Sequence, residues 1–202
     1  MTKIKMCGLT KKEDIDAVNE WKPEYIGFVF AAKSGRFVTA SRAKELRELL
    51  DPQIQAVGVF LNEKPEVVAS LLNENIIDLA QLHGNEGEEY LAHLRTLTDK
   101  PLIQAFRVQT KEDVIRACQS SAEQILLDSG AGTGKIFDWR LLAETSRPFF
   151  LAGGLNPQNV SEAIRQLHPY AVDVSSGIET DGSKDKEKIA AFAAAVRKEG
   201  NL

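Results

Sequence analysis

The chain has 202 residues, 43% of them apolar and 27% charged, which is typical of a globular protein and favours one domain or at most two small ones. Its net charge of −4 argues against a nucleic-acid or acidic-membrane partner, because such partners attract basic surfaces. No run of about 18 apolar residues predicts a membrane span. Two cysteines are too few for a disulfide framework, so we expect a reducing, cytoplasmic setting.

Short apolar runs alternate with amphipathic segments along the whole chain. Several of the runs are almost continuously apolar, as parallel strands covered on both faces are. Eight strands are predicted, at 3–7, 25–30, 55–60, 78–82, 102–108, 124–128, 148–152 and 171–175. Between them, apolar residues at helical spacing predict eight helical segments. Thr110 with Asp113 predicts one helix start as a capping box, and Asn156 before Pro157 predicts another.

Eight strands that alternate with eight helical segments imply an α/β fold with a parallel sheet and right-handed crossovers. A closed barrel and an open, doubly wound sheet both fit this alternation. Eight units of about 25 residues each, with no excess strand or insertion, favour closure. No linker or charge block interrupts the chain. We therefore predict that residues 1–202 form a single-domain (β/α)8 barrel, the TIM-barrel fold.

In such a barrel the active site lies at the carboxyl ends of the strands. Cys7 ends the first predicted strand, just before a helix whose dipole could stabilise a thiolate; a small buried apolar side chain is the alternative. Asp128 ends the sixth strand, where a carboxylate must be solvated, paired or used in chemistry. The matched positions suggest a general base and a general acid that face one cavity.

Two further polar residues follow predicted strands. Arg36 lies in the loop after the second strand, where an arginine either binds a carboxylate or phosphate or remains a solvated charge. His83 follows the fourth strand and either carries a proton or forms a polar wall. The histidines and cysteines lack the spacing of metal ligands, so no metal site is predicted.

Glycine-rich turns follow the last two predicted strands. In βα barrels the loops after strands seven and eight often bind phosphate through backbone N–H groups. Gly154, Ser176 and Gly177 are therefore predicted phosphate donors, although the glycines could simply permit tight turns. The glycine-rich run 130–135 lacks the spacing of a P-loop and better fits a loop that covers the substrate.

Several motifs stand in a characteristic order over nearly the whole chain. They are KMCGLT at 5–10, GFVF at 27–30 with SGR at 34–36, QLHG at 81–84, LD at 127–128, GTG at 132–134 with FDW at 137–139, LAGGL at 151–155 and DVSSGIE at 173–179. Together they resemble the phosphoribosylanthranilate isomerases of tryptophan biosynthesis. That family often has proline where this chain has Gly35, a change that leaves Arg36 in place.

The resemblance implies an Amadori rearrangement of N-(5-phosphoribosyl)anthranilate to 1-(2-carboxyphenylamino)-1-deoxy-D-ribulose 5-phosphate. It implies that Asp128 is the general acid, that Cys7 is the general base and that Arg36 binds the anthranilate carboxylate. His83 joins the substrate-binding residues, and Gly154, Ser176 and Gly177 bind the phosphate. No cofactor is implied, because the anthranilate nitrogen forms the iminium that accepts electrons.

The assigned roles carry an expectation about acidity. A base works best with a pKa near the operating pH, so we expect a modestly lowered pKa for the Cys7 thiol. The acid must hold its proton at neutral pH, so we expect a raised pKa for Asp128.

Three other functions are weighed against this one. The isomerase of the histidine pathway performs the same rearrangement on a related barrel, and its family resembles one that uses two aspartates. The cysteine at position 7 argues against that family. Indoleglycerol-phosphate synthase needs a lysine at a strand end, whereas Lys5 is predicted inside its strand. A sugar-phosphate binding module has no need for Cys7 and Asp128 together. Nothing in the sequence predicts a large exposed apolar patch, so we expect a monomer that binds a small phosphosugar–anthranilate substrate.

Overall fold

The structure is a computed structural model that describes residues 1–128, 130, 139–142 and 145–200. Its eight parallel strands close into a barrel in chain order, with β1 paired to both β2 and β8. The strands are β1 (Lys3–Cys7), β2 (Tyr25–Val29), β3 (Gln55–Phe60), β4 (Leu79–Leu82), β5 (Leu102–Arg107), β6 (Gln124–Asp128), β7 (Phe149–Ala152) and β8 (Ala171–Val174). The predicted closed barrel is confirmed, and every predicted strand agrees with an observed one to within a residue at either end.

Seven α-helices cover the strands among the described residues. They are α1 (Lys12–Trp21), α2 (Ala40–Leu49), α3 (Pro65–Asn73), α4 (Glu88–Arg95), α5 (Lys111–Cys118), α6 (Val160–Leu167) and α7 (Lys186–Glu199). Between β6 and β7, where an eighth helix was expected, the described part of the chain contains a 3-10 helix, Trp139–Leu142. The predicted covering loop at 130–135 lies outside the described residues except for Gly130. No helix that the structure describes is long and apolar enough to cross a bilayer.

The two predicted helix starts have different outcomes. The Thr110 hydroxyl accepts from the Asp113 amide, and the Asp113 carboxylate accepts from the Thr110 amide, so this capping box is confirmed. The start predicted at Asn156 is wrong, because α6 begins at Val160. The Asn156 side chain instead accepts from the amides of Gln158 and Asn159 and so closes a turn that precedes the helix.

Side chains of each strand alternate between the barrel interior and the layer of helices. The interior contains Tyr25, Val57, Leu79, Ile103, Leu126, Phe150, Ala152 and Ala171. On β1, Ile4 and Met6 belong to the core between strands and helices. Lys3, Lys5 and Cys7 therefore point into the barrel, which places two lysines and the thiol on one inward-facing row.

The chain after β8 contains an addition that the sequence analysis missed. A 3-10 helix, Ser176–Ile178, leads into two short antiparallel strands, β9 (Glu179–Thr180) and β10 (Ser183–Lys184). Residues this polar do not show the alternation that predicts strands. The small hairpin carries Glu179 and Lys184 back towards the carboxyl end of the barrel, where both contact residues of the site.

The helix layer depends on apolar side chains such as Phe192 of α7, which is fully buried. We expect Phe192→Ala to lower the free energy of unfolding by about 3–5 kcal/mol, because it removes buried apolar surface and leaves a cavity. Urea unfolding followed by circular dichroism measures the change. Ala191→Gln, on the exposed face of the same helix, should change it by less than about 0.5 kcal/mol. Equal effects of the two substitutions would contradict this account of the packing.

Candidate active site

Cys7 lies at the carboxyl end of β1 with 8% of its surface exposed. Its neighbour on β2 is Gly27, and a Cβ added there would lie 2.6 Å from the Cys7 sulfur. The sulfur therefore occupies the space that a side chain at position 27 would need. The Ser175 hydroxyl donates to the Cys7 carbonyl at 3.0 Å, so the residue that follows β8 also holds the end of β1 in place.

The helix after Cys7 does not supply the stabilisation expected from its dipole. Helix α1 begins only at Lys12, and the amides of Thr10 and Lys11 donate to the Asp14 carboxylate at 2.8 and 3.0 Å. The first N–H groups of this segment are thus satisfied by the helix's own side chain. The groups that favour the Cys7 thiolate are instead lysines, as its electrostatic surroundings show.

The pKa of the Cys7 thiol is raised above its ordinary value. Burial is the main cause, and the nearby Asp173 carboxylate adds to the rise. The ammonium groups of Lys5 and Lys184 act in the opposite direction and offset part of it. The lowered pKa expected for this thiol is therefore not found, because burial outweighs the two lysines.

Asp128 ends β6 and contacts a histidine from across the barrel mouth. His83 Nε2 lies 3.4 Å from Asp128 Oδ2, and Gln81 Nε2 lies 2.7 Å from His83 Nδ1. With the Gln81 amide donating to Nδ1, the ring proton of His83 sits on Nε2 and faces the carboxylate. Strands β4 and β6 are not neighbours, so this contact shows that both side chains point into the same opening.

The pKa of Asp128 is lowered rather than raised. Burial alone would raise it, but a hydrogen bond from His83, another from the Gly130 amide at 2.8 Å, and the charge of Arg107 together outweigh burial. Arg107 is the register partner of Asp128 on β5. The expected raised pKa is therefore not found, since the rim surrounds this carboxyl with groups that stabilise its ionised form.

Arg36 is held in a fixed orientation by a carboxylate that sequence reasoning did not single out. Its Nε and Nη2 atoms donate to the two oxygens of Glu179 at 2.7 and 2.6 Å, and Lys184 Nζ donates to Glu179 Oε1 at 2.6 Å. A Cβ at Gly8, which has a φ of +83°, would lie 2.4 Å from Arg36 Cδ. Gly8 thus allows the arginine to cross the first loop, and Nη1 makes no hydrogen bond among the described residues.

The predicted phosphate-binding turns lie against each other. Gly154 has a φ of +65°, which favours glycine. A Cβ at Gly177 would lie 1.9 Å from the Leu155 carbonyl oxygen, so only glycine allows the loop after β8 to approach the loop after β7 this closely. The structure therefore brings the turn that contains Gly154 and Leu155 against Gly177, which with Ser176 forms the start of a 3-10 helix.

Sequence reasoning found the strand-end residues but missed the side chains that support them. Lys5, Gln81, Arg107 and Asp173 lie within or at the ends of strands that were correctly predicted, and their inward direction follows from the alternation. Among the described residues, no three His, Cys, Asp or Glu side chains are placed to hold a metal ion. A closed barrel with these polar groups at its carboxyl rim defines the chain as a member of the βα-barrel class of enzymes.

Comparison with known proteins identifies the family. A family model described as N-(5'-phosphoribosyl)anthranilate isomerase matches residues 4–195. The chain is 47% identical over 194 residues to the N-(5'-phosphoribosyl)anthranilate isomerase of Endomicrobium trichonymphae, covering 94% of this chain and 95% of the relative. The chain belongs to the N-(5'-phosphoribosyl)anthranilate isomerase family, which confirms the family and the enzyme class predicted from the sequence.

Solved structures agree with this assignment. The phosphoribosyl anthranilate isomerase of Thermotoga maritima superposes with a TM-score of 0.89 at 36% identity, with full coverage of both chains. Another solved phosphoribosyl anthranilate isomerase, in complex with reduced 1-(o-carboxyphenylamino)-1-deoxyribulose 5-phosphate, gives a TM-score of 0.87 at 35% identity over 98% of this chain and all of the other.

The contact between Gly27 and the Cys7 sulfur can be tested directly. We expect Gly27→Ala to reduce turnover about 100-fold, because the added methyl group must displace the sulfur by a sizeable fraction of an ångström. Turnover and the circular dichroism spectrum should be measured together. Gly87→Ala is the matched control, since a Cβ at Gly87 meets nothing within 4 Å. Near-unchanged turnover in a folded Gly27→Ala protein would show that the thiol position is not critical.

Proposed function

We propose that this chain catalyses the Amadori rearrangement of N-(5'-phosphoribosyl)anthranilate, with Asp128 as the general acid and Cys7 as the general base. The observation that carries the proposal is that a thiol from β1 and a carboxyl from β6 both point into one barrel mouth. Family membership supplies the substrate. The relative solved with a reduced carboxyphenylamino-deoxyribulose phosphate supports it.

The first step opens the sugar ring. Asp128 gives its proton to the furanose ring oxygen, the bond between that oxygen and C1 breaks, and the nitrogen lone pair forms the C1–N double bond of a protonated Schiff base. His83 Nε2, which lies 3.4 Å from Asp128 Oδ2 in the structure, then carries the proton that faces the remaining carboxylate. Gln81 therefore supports the acid by holding His83 in the required tautomer.

The second step removes the proton at C2. The Cys7 thiolate takes this proton, and the electron pair of the C–H bond moves towards the iminium nitrogen to give an enolamine. The enolamine gains a proton at C1 and loses its hydroxyl proton, which yields the ketone. Cys7 and Asp128 therefore only transfer protons, and the nitrogen of the substrate accepts the electrons.

The remaining predicted residues bind the two ends of the substrate. Arg36 binds the anthranilate carboxylate through Nη1, because Glu179 occupies Nε and Nη2. The backbone N–H groups of Gly154, Ser176 and Gly177 bind the phosphate where the last two loops meet. Anchoring both ends holds C2 against the base and the ring oxygen against the acid.

We also propose that residues 1–202 act as a single catalytic domain, as a monomer and in the cytoplasm. Both cysteines are free thiols, and Cys7 must remain reduced to act as a base. A reducing compartment meets that requirement.

The roles of Cys7 and Asp128 are tested by removing each ionisable group. We expect Cys7→Ala and Asp128→Asn each to lower kcat by about 10²- to 10⁴-fold, the usual contribution of a general acid or base. Turnover is followed by the loss of anthranilate-type fluorescence. Cys118→Ala is the control, because this second free cysteine lies on α5 rather than at the rim. A variant that retains near-normal kcat would remove the role assigned to its residue.

The directions of the two pKa shifts predict the pH profile. The reactive form needs a Cys7 thiolate and a protonated Asp128, yet the pKa of Asp128 is lowered and that of Cys7 is raised. Below both pKa values the thiolate fraction limits the rate, and above both the protonated carboxyl limits it. Between them the two fractions change in opposite directions and cancel.

We therefore expect kcat/KM to be nearly constant across neutral pH, to fall in acid below the ordinary aspartate pKa, and to fall in alkali above the ordinary cysteine pKa. Stopped-flow fluorescence across this range measures the profile. A sharp optimum with both limbs near neutrality would show that both shifts have the opposite direction in the working enzyme, with the pKa of Asp128 raised and that of Cys7 lowered.

A further inference from the structure

Lys5 is a fully buried lysine inside the barrel that the proposed reaction does not use. A buried ammonium is costly unless it is paired. Its partner is Asp173, its register partner on β8, with Nζ and Oδ1 2.9 Å apart. The pair lies deeper in the barrel than the thiol, at a level that apolar side chains fill on other strands.

Lys5 and Cys7 stand two residues apart on β1, so their side chains share the inward face and are about 7 Å apart along the strand. The lysine side chain is long enough to span that distance. The Lys5 ammonium lowers the pKa of the Cys7 thiol against the larger effect of burial, chiefly through its charge and also as a hydrogen-bond donor. With three N–H donors, it can bind Asp173 and the sulfur at once.

The other charged groups around the thiol are Asp173 from β8, Lys184 from β10 and Arg36 from the loop after β2. Asp173 opposes the thiolate. Lys184 already donates to the Ser175 carbonyl and to Glu179, at 3.0 and 2.6 Å. Arg36 is paired to the same Glu179 carboxylate. Lys5 is therefore the cation with the strongest effect on the sulfur, ahead of Lys184.

We propose that Lys5, oriented by Asp173, is a positioning residue that acts through Cys7. From deeper in the barrel, the Lys5 ammonium stabilises the Cys7 thiolate. This inference rests on the proposed function, in which Cys7 is the base. It answers a question that the rim alone leaves open, because the amides of Thr10 and Lys11 before α1 are already bound to Asp14 and burial opposes the thiolate. The buried ion pair keeps a positive charge beside the sulfur without exposing a lysine to the substrate.

The test is to titrate the Cys7 thiol without using substrate. Thiolate ultraviolet absorbance is recorded against pH in a Cys118→Ala background, and the Cys7→Ala/Cys118→Ala protein provides the baseline. We expect Lys5→Met to raise the Cys7 pKa by at least about one pH unit, so that the thiolate fraction at neutral pH falls about tenfold.

Lys3→Met is the matched control. Lys3 shares the inward row of β1, but its ammonium lies at the opposite end of the barrel, 2.6 Å from the Tyr170 hydroxyl. The same loss of charge there should leave the Cys7 titration unchanged. If Lys3→Met shifts it as far as Lys5→Met does, the effect is one of net charge and the proposal is overturned.

Lys5→Met leaves a partly buried Asp173 without its partner, and this change alone can prevent folding. Lys5→Met/Asp173→Asn removes both charges and keeps the test available. We expect its Cys7 pKa to lie above the background value, since the effect of Lys5 exceeds that of Asp173. An unchanged pKa in this folded double variant would overturn the proposal.

Activity gives a second, separable reading. In the variants that raise the Cys7 pKa, kcat/KM at neutral pH should fall about tenfold for each unit by which that pKa rises. The alkaline limb of the pH profile should move to higher pH. A raised Cys7 pKa with unchanged kcat/KM would support the influence of Lys5 on the thiol and contradict Cys7 as the base. An unchanged pKa with a normal loss of activity in Cys7→Ala would contradict only the inference about Lys5.

Discussion

The closure of eight parallel strands into a barrel is the constraint on which the rest of the structure depends. Closure sends every second side chain inwards and places all eight carboxyl ends at one rim. Cys7 and Asp128 lie 121 residues apart in the sequence (128 − 7), yet they share one opening because β1 and β6 belong to the same ring. The row Lys3, Lys5 and Cys7 follows from the same alternation.

The electrostatics of the rim oppose the protonation states that the proposed reaction needs, a thiolate at Cys7 and a neutral carboxyl at Asp128. Asp128 receives hydrogen bonds from His83 and Gly130, so its carboxylate is stabilised, whereas burial favours the neutral Cys7 thiol. In the proposed mechanism, the form with a Cys7 thiolate and a protonated Asp128 is therefore a minor population. The proposed effect of Lys5 on Cys7 would enlarge that population, because a positive charge near the sulfur favours the thiolate.

Much of the fold and part of the site could be predicted from local patterns. The strands were located because parallel strands buried on both faces are apolar runs, and Thr110 with Asp113 is a local cap. The start of α6 was placed wrongly at Asn156, since an asparagine that closes a turn and one that caps a helix look alike in sequence. Glu179 was part of a recognised motif, but its pairing with Arg36 joins loops 143 residues apart.

The sequence by itself determined the barrel, the family and the identities of the strand-end residues, because these depend on periodicity and on motifs that occupy fixed positions along the chain. Only the tertiary structure decided the surroundings of those residues. It replaced the expected helix dipole with Lys5 and Lys184 as the cations near Cys7, and it reversed both expected pKa directions. The physical reason is that burial and pairing depend on neighbours from other strands, which no local pattern specifies.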